Sequence, residues 1–103
     1  MSIRTSDLSA LRRNAGAAAS MLRAVANERR LMILCLLIAD AELSAGEIAQ
    51  EVGLSQSATS QHLAKMREEG LITFRRESQT VHYRIADSDV KRLIATLKTI
   101  YCD

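Results

Sequence analysis

Between Ser44 and Ile85 the chain sets out a helix start, a glycine turn, a second helix start and two strand-like runs in close succession. That order constrains the fold more than any other feature. Ser44 and Glu47 stand in S-x-x-E spacing, so the hydroxyl can accept from the backbone N–H three residues on while the carboxylate reaches back to the capping residue. Ile48, Ala49 and Val52 share one side of the helix this opens, and Gly53 follows where a positive φ would end it and turn the chain. Ser55 caps the next helix, with Ala58, Leu63 and Met66 as its inward stripe and Glu69-Gly70 as its stop. Two short helices around a tight glycine turn form a helix-turn-helix over residues 44–69, whose second helix has the dimensions to enter a DNA major groove. Leu71 to Arg75 and Thr80 to Ile85 then have strand content, with Glu77-Ser78-Gln79 as a polar tip, which gives a two-stranded wing over 71–86.

The outward face of the second helix carries Gln56, Ser57, Ser60 and Gln61, polar side chains able to bond base edges and phosphates, with no acid among them. Lys65 and Arg67 near its end, and Arg75, Arg76 and Arg84 on the wing, supply cations for the phosphate backbone, and His82 is a further wing contact. A net charge of +2 over the whole chain is too small for indiscriminate coating of nucleic acid, so the affinity must come from this local clustering; the acids Glu42, Glu47 and Glu51 lie earlier in the chain.

At 103 residues without proline, repeats or low-complexity linkers, the chain reads as a single domain, 1–103, with a modest core that a dimer interface would supplement. Arginines recur through residues 1–30 without a sustained apolar stretch, and the run from Leu31 to Ala39 is too short to span a bilayer, so a cytoplasmic protein without a membrane partner is expected. From Asp7 to Val25, Leu8, Leu11, Ala15, Ala18, Leu22 and Val25 recur at helical spacing, and the small residues Ala15 to Ala19 would let another helix approach closely. Asn27 caps a helix from Glu28 to about Ala39, apolar nearly all round and therefore central. Asp87 caps a last helix bearing Val90, Leu93, Ile94, Leu97 and Ile100-Tyr101. The fold expected is mainly α with a small β-hairpin: about five helices, a two-stranded wing, and a homodimer through the first and last helices (7–25 and 87–102). Two-fold symmetry would set two recognition helices on a palindromic operator about one helical turn apart.

Laid out this way, the chain resembles the ArsR/SmtB family of winged-helix repressors over essentially its whole length. Ala26-Asn27-Glu28-Arg29-Arg30-Leu31 is similar to that family's A-[NH]-x-x-R-[LR] opening, and Leu54 to Leu63 to its recognition helix. The resemblance implies that Gln56, Ser57, Ser60 and Gln61 contact double-stranded operator DNA. Metal-sensing relatives carry a C-x-C pair near the DNA-binding helices, or Asp/His pairs with H-x-x-E/H spacing on the last helix; neither occurs here. The two histidines, His62 in the recognition helix and His82 in the wing, do not make the three or four converging ligands that a soft or borderline metal wants. No metal or other cofactor is expected.

Two cysteines remain. Cys35, in the central helix, can serve simply as a small hydrophobe, whereas Cys102, at the end of the last helix, has no core to fill and leaves its thiol open to oxidants. A constitutive bridge is unfavoured in a reducing compartment, so a reversible bridge is the sharper reading beside simple packing. Leu34-Cys35-Leu36-Leu37 and Lys98-Thr99-Ile100-Tyr101-Cys102 resemble the paired-cysteine branch of the family. That resemblance implies a repressor whose operator affinity is switched when reactive sulfur species or oxidants join the two thiols through a disulfide or polysulfide link. A metal-responsive repressor and an inducer-independent one stay open as alternatives. An enzyme is not expected, since there is no C-x-x-C, no nucleophile with an aligned base, and no glycine-rich phosphate loop.

Overall fold

A computed structural model describes residues 4–102. Its elements run α1 (Thr5–Val25), α2 (Glu28–Ala39), β1 (Leu43–Ser44), α3 (Ala45–Val52), α4 (Gln56–Glu68), β2 (Ile72–Glu77), β3 (Thr80–Ile85) and α5 (Ser88–Tyr101).

Local signals set most of the boundaries. Asn27 Oδ1 accepts from the backbone N–H of Arg29 (3.0 Å) and Arg30 (3.1 Å), so α2 starts where its first free donors are satisfied. Ser44 and Glu47 form the reciprocal capping box at the head of α3, at 3.2 and 2.9 Å. Gly53 ends that helix at φ 71°, in the left-handed region where a β-carbon would be strained. Ser55 caps α4 through the Ala58 N–H (3.1 Å), and Asp87 caps α5 through those of Asp89 (2.7 Å) and Val90 (3.1 Å).

The core lies where α2, α4, α5 and the sheet meet. Ile33, Leu34 and Leu37 of α2, Ile48 of α3, Leu63 and Met66 of α4, Ile72 of β2 and Val90 and Ile94 of α5 are sealed from solvent. On α4 the inward stripe also contains Thr59, fully buried, while Ala58 is only half-buried. The Thr59 hydroxyl finds no hydrogen-bond partner among the described residues.

The sheet departs from the expected two-stranded wing. It has three antiparallel strands in the order β1-β3-β2, because Leu43 pairs with Tyr83 and Ser44 with His82 on the outer side of the hairpin. The extra strand escapes a periodicity search: it is two residues long, and its second residue is also the cap of α3. The hairpin turn is shorter than expected as well. Glu77 pairs with Thr80, so only Ser78 and Gln79 form the tip, and Ser78 takes a positive φ of 57°.

The α1 helix is built differently from the rest. Its cap position is Arg4, which makes no side-chain capping bond, and Val25 is its one buried residue. Leu8, Leu11 and Leu22 stand 40, 50 and 55% exposed, and at the far end of α5 Ile100 and Tyr101 are 62 and 79% exposed. No helix among the described residues is long and apolar enough to cross a membrane.

Candidate nucleic-acid interface and thiol pair

The turn at Gly53-Leu54 sets α4 against α3, and Leu63 and Met66 pin its inner side to the core. Gln56, Ser57, Ser60, Gln61 and Lys65 are consequently all exposed, on the side of α4 turned away from that core. Helix geometry places these residues over successive turns of one broad face. The first turn of α4 contains no acid, so nothing there opposes the attraction of a helix N-terminus for a phosphate. His62 is half-buried behind the face and borders a cavity with Asn27, Arg29, Met32 and Val52.

A fork joins the end of α4 to the start of α2. Arg30 donates from both terminal nitrogens to Glu69, at 3.0 and 2.8 Å, and also to the Ala24 carbonyl at 2.9 Å. The Arg30 side chain is 13% exposed, so one guanidinium ties the α1–α2 corner to the last residues of the outward-facing helix. The same bonds hold the Glu69 carboxyl below the ordinary range.

On the wing, Phe74 packs with Tyr83 at 5.9 Å between ring centres. Arg67 of α4 lies 4.7 Å over the Phe74 ring and Arg76 of β2 lies 5.7 Å from it, which joins helix and wing through cation–π contact. Arg75 and Arg84 have carboxylate partners instead. Arg75 is held by Glu42 and Glu77, and Arg84 lies 3.7 Å from Glu42. Glu42 lies earlier in the chain than the wing, and β1 brings it alongside. His82, on the middle strand, is 3.7 Å from Glu77.

The two cysteines, far apart in sequence, are brought near one another by the packing of α2 on α5, close enough for Cys102 to influence the Cys35 thiol. Cys35 is half-buried against the core and Cys102 is exposed; neither is bridged. Burial is the main influence that raises the pKa of the Cys35 thiol, and the neighbouring Cys102 adds to it, while the Lys98 charge acts in the opposite sense. Lys98 escapes a reading of sequence spacing because it sits on α5, one turn before Cys102, and approaches Cys35 only through the α2–α5 packing. It lines an apolar cavity of about 300 Å³ with Met32, Cys35, Leu36, Ala39, Glu51 and Val52. Among the described residues no group of three or more His, Cys, Asp or Glu side chains converges as a metal site.

A short helix pair with an exposed polar face, followed by a cation-bearing hairpin, defines a winged helix-turn-helix protein. The family described as "Bacterial regulatory protein, arsR family" matches residues 27–73, from the cap of α2 into β2. The transcriptional activator HlyU of Vibrio cholerae is 48% identical over 96 residues, spanning 93% of this chain and 88% of that protein. The HTH-type transcriptional regulator YgaV of Escherichia coli is also 48% identical over 96 residues, spanning 93% and 97%. Among solved structures, reduced HlyU from Vibrio cholerae superposes with a TM-score of 0.83 at 47% identity, over 90% of this chain and 97% of that one. The transcriptional repressor BigR from Xylella fastidiosa superposes with a TM-score of 0.82 at 32% identity, over 92% and 96%. The chain belongs to the ArsR family of winged-helix transcriptional regulators.

Proposed function

We propose that this protein is a homodimeric, sequence-specific DNA-binding repressor whose operator affinity is switched by thiol chemistry between Cys35 and Cys102. The observation that carries the switch is the meeting of those two thiols at the seam between α2 and α5. In this reading α4 reads base edges through Gln56, Ser57, Ser60 and Gln61, while Lys65, Arg75, Arg76 and His82 contact phosphates. The exposed leucines of α1 and the exposed end of α5 meet their counterparts across a two-fold axis, which matches the protein to a palindromic operator. Residues 1–103 act as one winged-helix unit in the cytoplasm, with 44–69 as its helix-turn-helix, 71–86 as its wing, and 7–25 and 87–102 as its dimerisation helices.

Exposure makes Cys102 the first thiol that a reactive sulfur species or oxidant meets. It becomes a persulfide or a sulfenic acid, and Cys35, after losing its proton, attacks it. An S–S bond forms with loss of sulfide or water. Where the reactive sulfur species has first added a second sulfur to the Cys102 persulfide, Cys35 attacks the sulfur next to Sγ, the terminal sulfur leaves as sulfide, and a trisulfide link closes. The link ties the last helix to the helix behind the reading head, and a coupling of about 1–3 kcal/mol against the DNA-bound geometry is enough to change operator occupancy. Relatives of similar sequence are named an activator and a repressor; of the two, repression is the reading we propose.

The test is fluorescence anisotropy with a duplex selected by this protein from a random pool. Reduced protein is compared with polysulfide-treated protein, with Cys35→Ser and Cys102→Ser alongside and intact mass as a check. Wild type should lose affinity as the link forms, and neither variant should do both. The half-burial of Cys35 against the core is what a passive packing residue would also show. Affinity unchanged by a formed link would select an inducer-independent regulator, and stoichiometric metal in the purified protein a metal-responsive one.

A further inference from the structure

The wing presents its cations in two states. Arg67 and Arg76 lie against Phe74 and have no carboxylate partner among the described residues. Arg75 and Arg84 are already partnered. Arg75 donates from Nε to both oxygens of Glu42 at 3.0 and 2.9 Å and approaches the same carboxylate with a terminal nitrogen at 2.9 Å, while its other terminal nitrogen donates to Glu77 at 3.0 Å. Arg84 reaches the second Glu42 oxygen at 3.7 Å.

Strand register explains the placement. Leu43 pairs with Tyr83 and Ser44 with His82, so Glu42 continues the antiparallel ladder to a position beside Arg84, and Arg75 pairs with His82 on the other flank of β3. Two guanidinium groups and two carboxylates therefore cancel on one patch of the wing. An arginine fork grips carboxylate and phosphate with the same paired geometry, so the two anions are direct competitors. Exposed ion pairs are weak enough for that exchange to take place at a DNA surface.

We propose that Glu42 is a specificity-determining residue: its carboxylate occupies the positions on Arg75 and Arg84 that a DNA phosphate would take, lowering the sequence-independent part of DNA affinity. Base contacts from α4 then decide where the protein settles. This inference rests on the DNA-binding reading above. Phosphate contacts carry no sequence information, and each one released or added changes the salt dependence of binding. The patch whose charge is cancelled, Arg75 with Arg84, contributes little to binding at arbitrary sites. It joins fully only where the helix is held long enough for arginine to pass from carboxylate to phosphate. Glu42 acts through the arginines and touches no base.

The experiment uses the full-length reduced protein with Glu42→Gln, which keeps the side chain's size and removes its charge. Anisotropy is read across a salt series on a mixed-sequence duplex and on the selected duplex. Glu42→Gln should bind the mixed-sequence duplex about three- to tenfold more tightly, with the log–log salt slope steeper by about one, as expected for one further phosphate contact. The selected duplex should gain less than the mixed one, so the specificity ratio falls. Adding Arg75→Ala to Glu42→Gln should cancel the gain and the steeper slope. Glu77→Gln alters a mostly exposed carboxylate away from β1 and should give a smaller change in the same direction. If Glu42→Gln proves poorly folded, Glu77→Gln decides. Wild type that binds the selected duplex, with both variants leaving affinity and slope unchanged or lower, overturns the inference alone; wild type that binds neither duplex overturns the DNA-binding reading and the inference with it.

Discussion

The α3–α4 pair and the α1 helix are built by opposite rules. α3 and α4 are short, each carries a side-chain cap, and each buries its apolar residues inside its own chain. α1 is 21 residues long, lacks a side-chain cap, and leaves three leucines at 40–55% exposure with only Val25 buried. Burial of apolar surface is the main source of helix stability in proteins, at roughly 25 cal/mol per Å². A helix that buries so little of its apolar face within the chain gains little of its stability there, and the proposed dimer would cover that face. The reading head thus buries its apolar residues within one chain, whereas α1 leaves its leucines uncovered, as the proposed dimer requires.

The strongest way to break this contrast is to cut into the head. Leu63→Ala removes a fully buried side chain between α4 and the core and should cost about 2–5 kcal/mol in denaturant unfolding. Leu11→Ala on α1 should change the unfolding of dilute protein by only about half a kcal/mol or less. Equal losses at the two sites would show that α1 is packed within the protomer after all.

The double change Leu11→Glu with Leu22→Glu addresses the other half. Sedimentation equilibrium should report dimer for wild type and monomer for the variant, with helical content retained in the circular dichroism spectrum. An unshifted molecular mass for the variant would place the interface elsewhere.

A smaller effect separates the corner that joins the two regions. Glu69 has its pKa lowered by Arg30, so its contribution is fully present above the ordinary carboxylate pKa and is lost as pH falls through the lowered value. Glu69→Gln should flatten the acid limb of the stability–pH curve below about pH 4, by about 1 kcal/mol or less because the carboxylate is 43% exposed. Smaller still is Thr59→Val, which removes a buried hydroxyl that has no partner among the described residues and keeps the shape of the side chain. It should leave stability unchanged or raise it by about 1 kcal/mol.

Much of the fold was legible because its signals are local. Asn27, Ser44, Ser55 and Asp87 each announced a helix start, and each accepts the backbone bonds expected of a cap. Gly53 marked the turn for the same reason: the information lies within a few residues. What escaped depends on contacts between distant parts of the chain. β1 is too short to show alternation, and its pairing with β3 places Glu42 33 residues from Arg75 in sequence yet within hydrogen-bond reach. The Arg30–Glu69 fork spans 39 residues, and the approach of Lys98 to Cys35 follows from the α2–α5 packing. Thr59 lies in the buried stripe of α4 beside Leu63 and Met66, a place that the apolar pattern Ala58, Leu63 and Met66 did not mark. Residue chemistry identified which side chains could bind DNA or react as thiols, and tertiary packing decided which of them are partnered.

The measurement closest to the central claim is DNA affinity of one preparation before and after the thiols are joined. Anisotropy with the selected duplex at fixed salt, with intact mass on the same sample, should show tight binding by reduced protein. It should show weakening of at least about tenfold once polysulfide has linked Cys35 to Cys102, the change that a coupling of about 1.4 kcal/mol produces. Reduction with dithiothreitol should restore the affinity. A fully linked sample that binds the duplex as tightly as the reduced one would contradict the account.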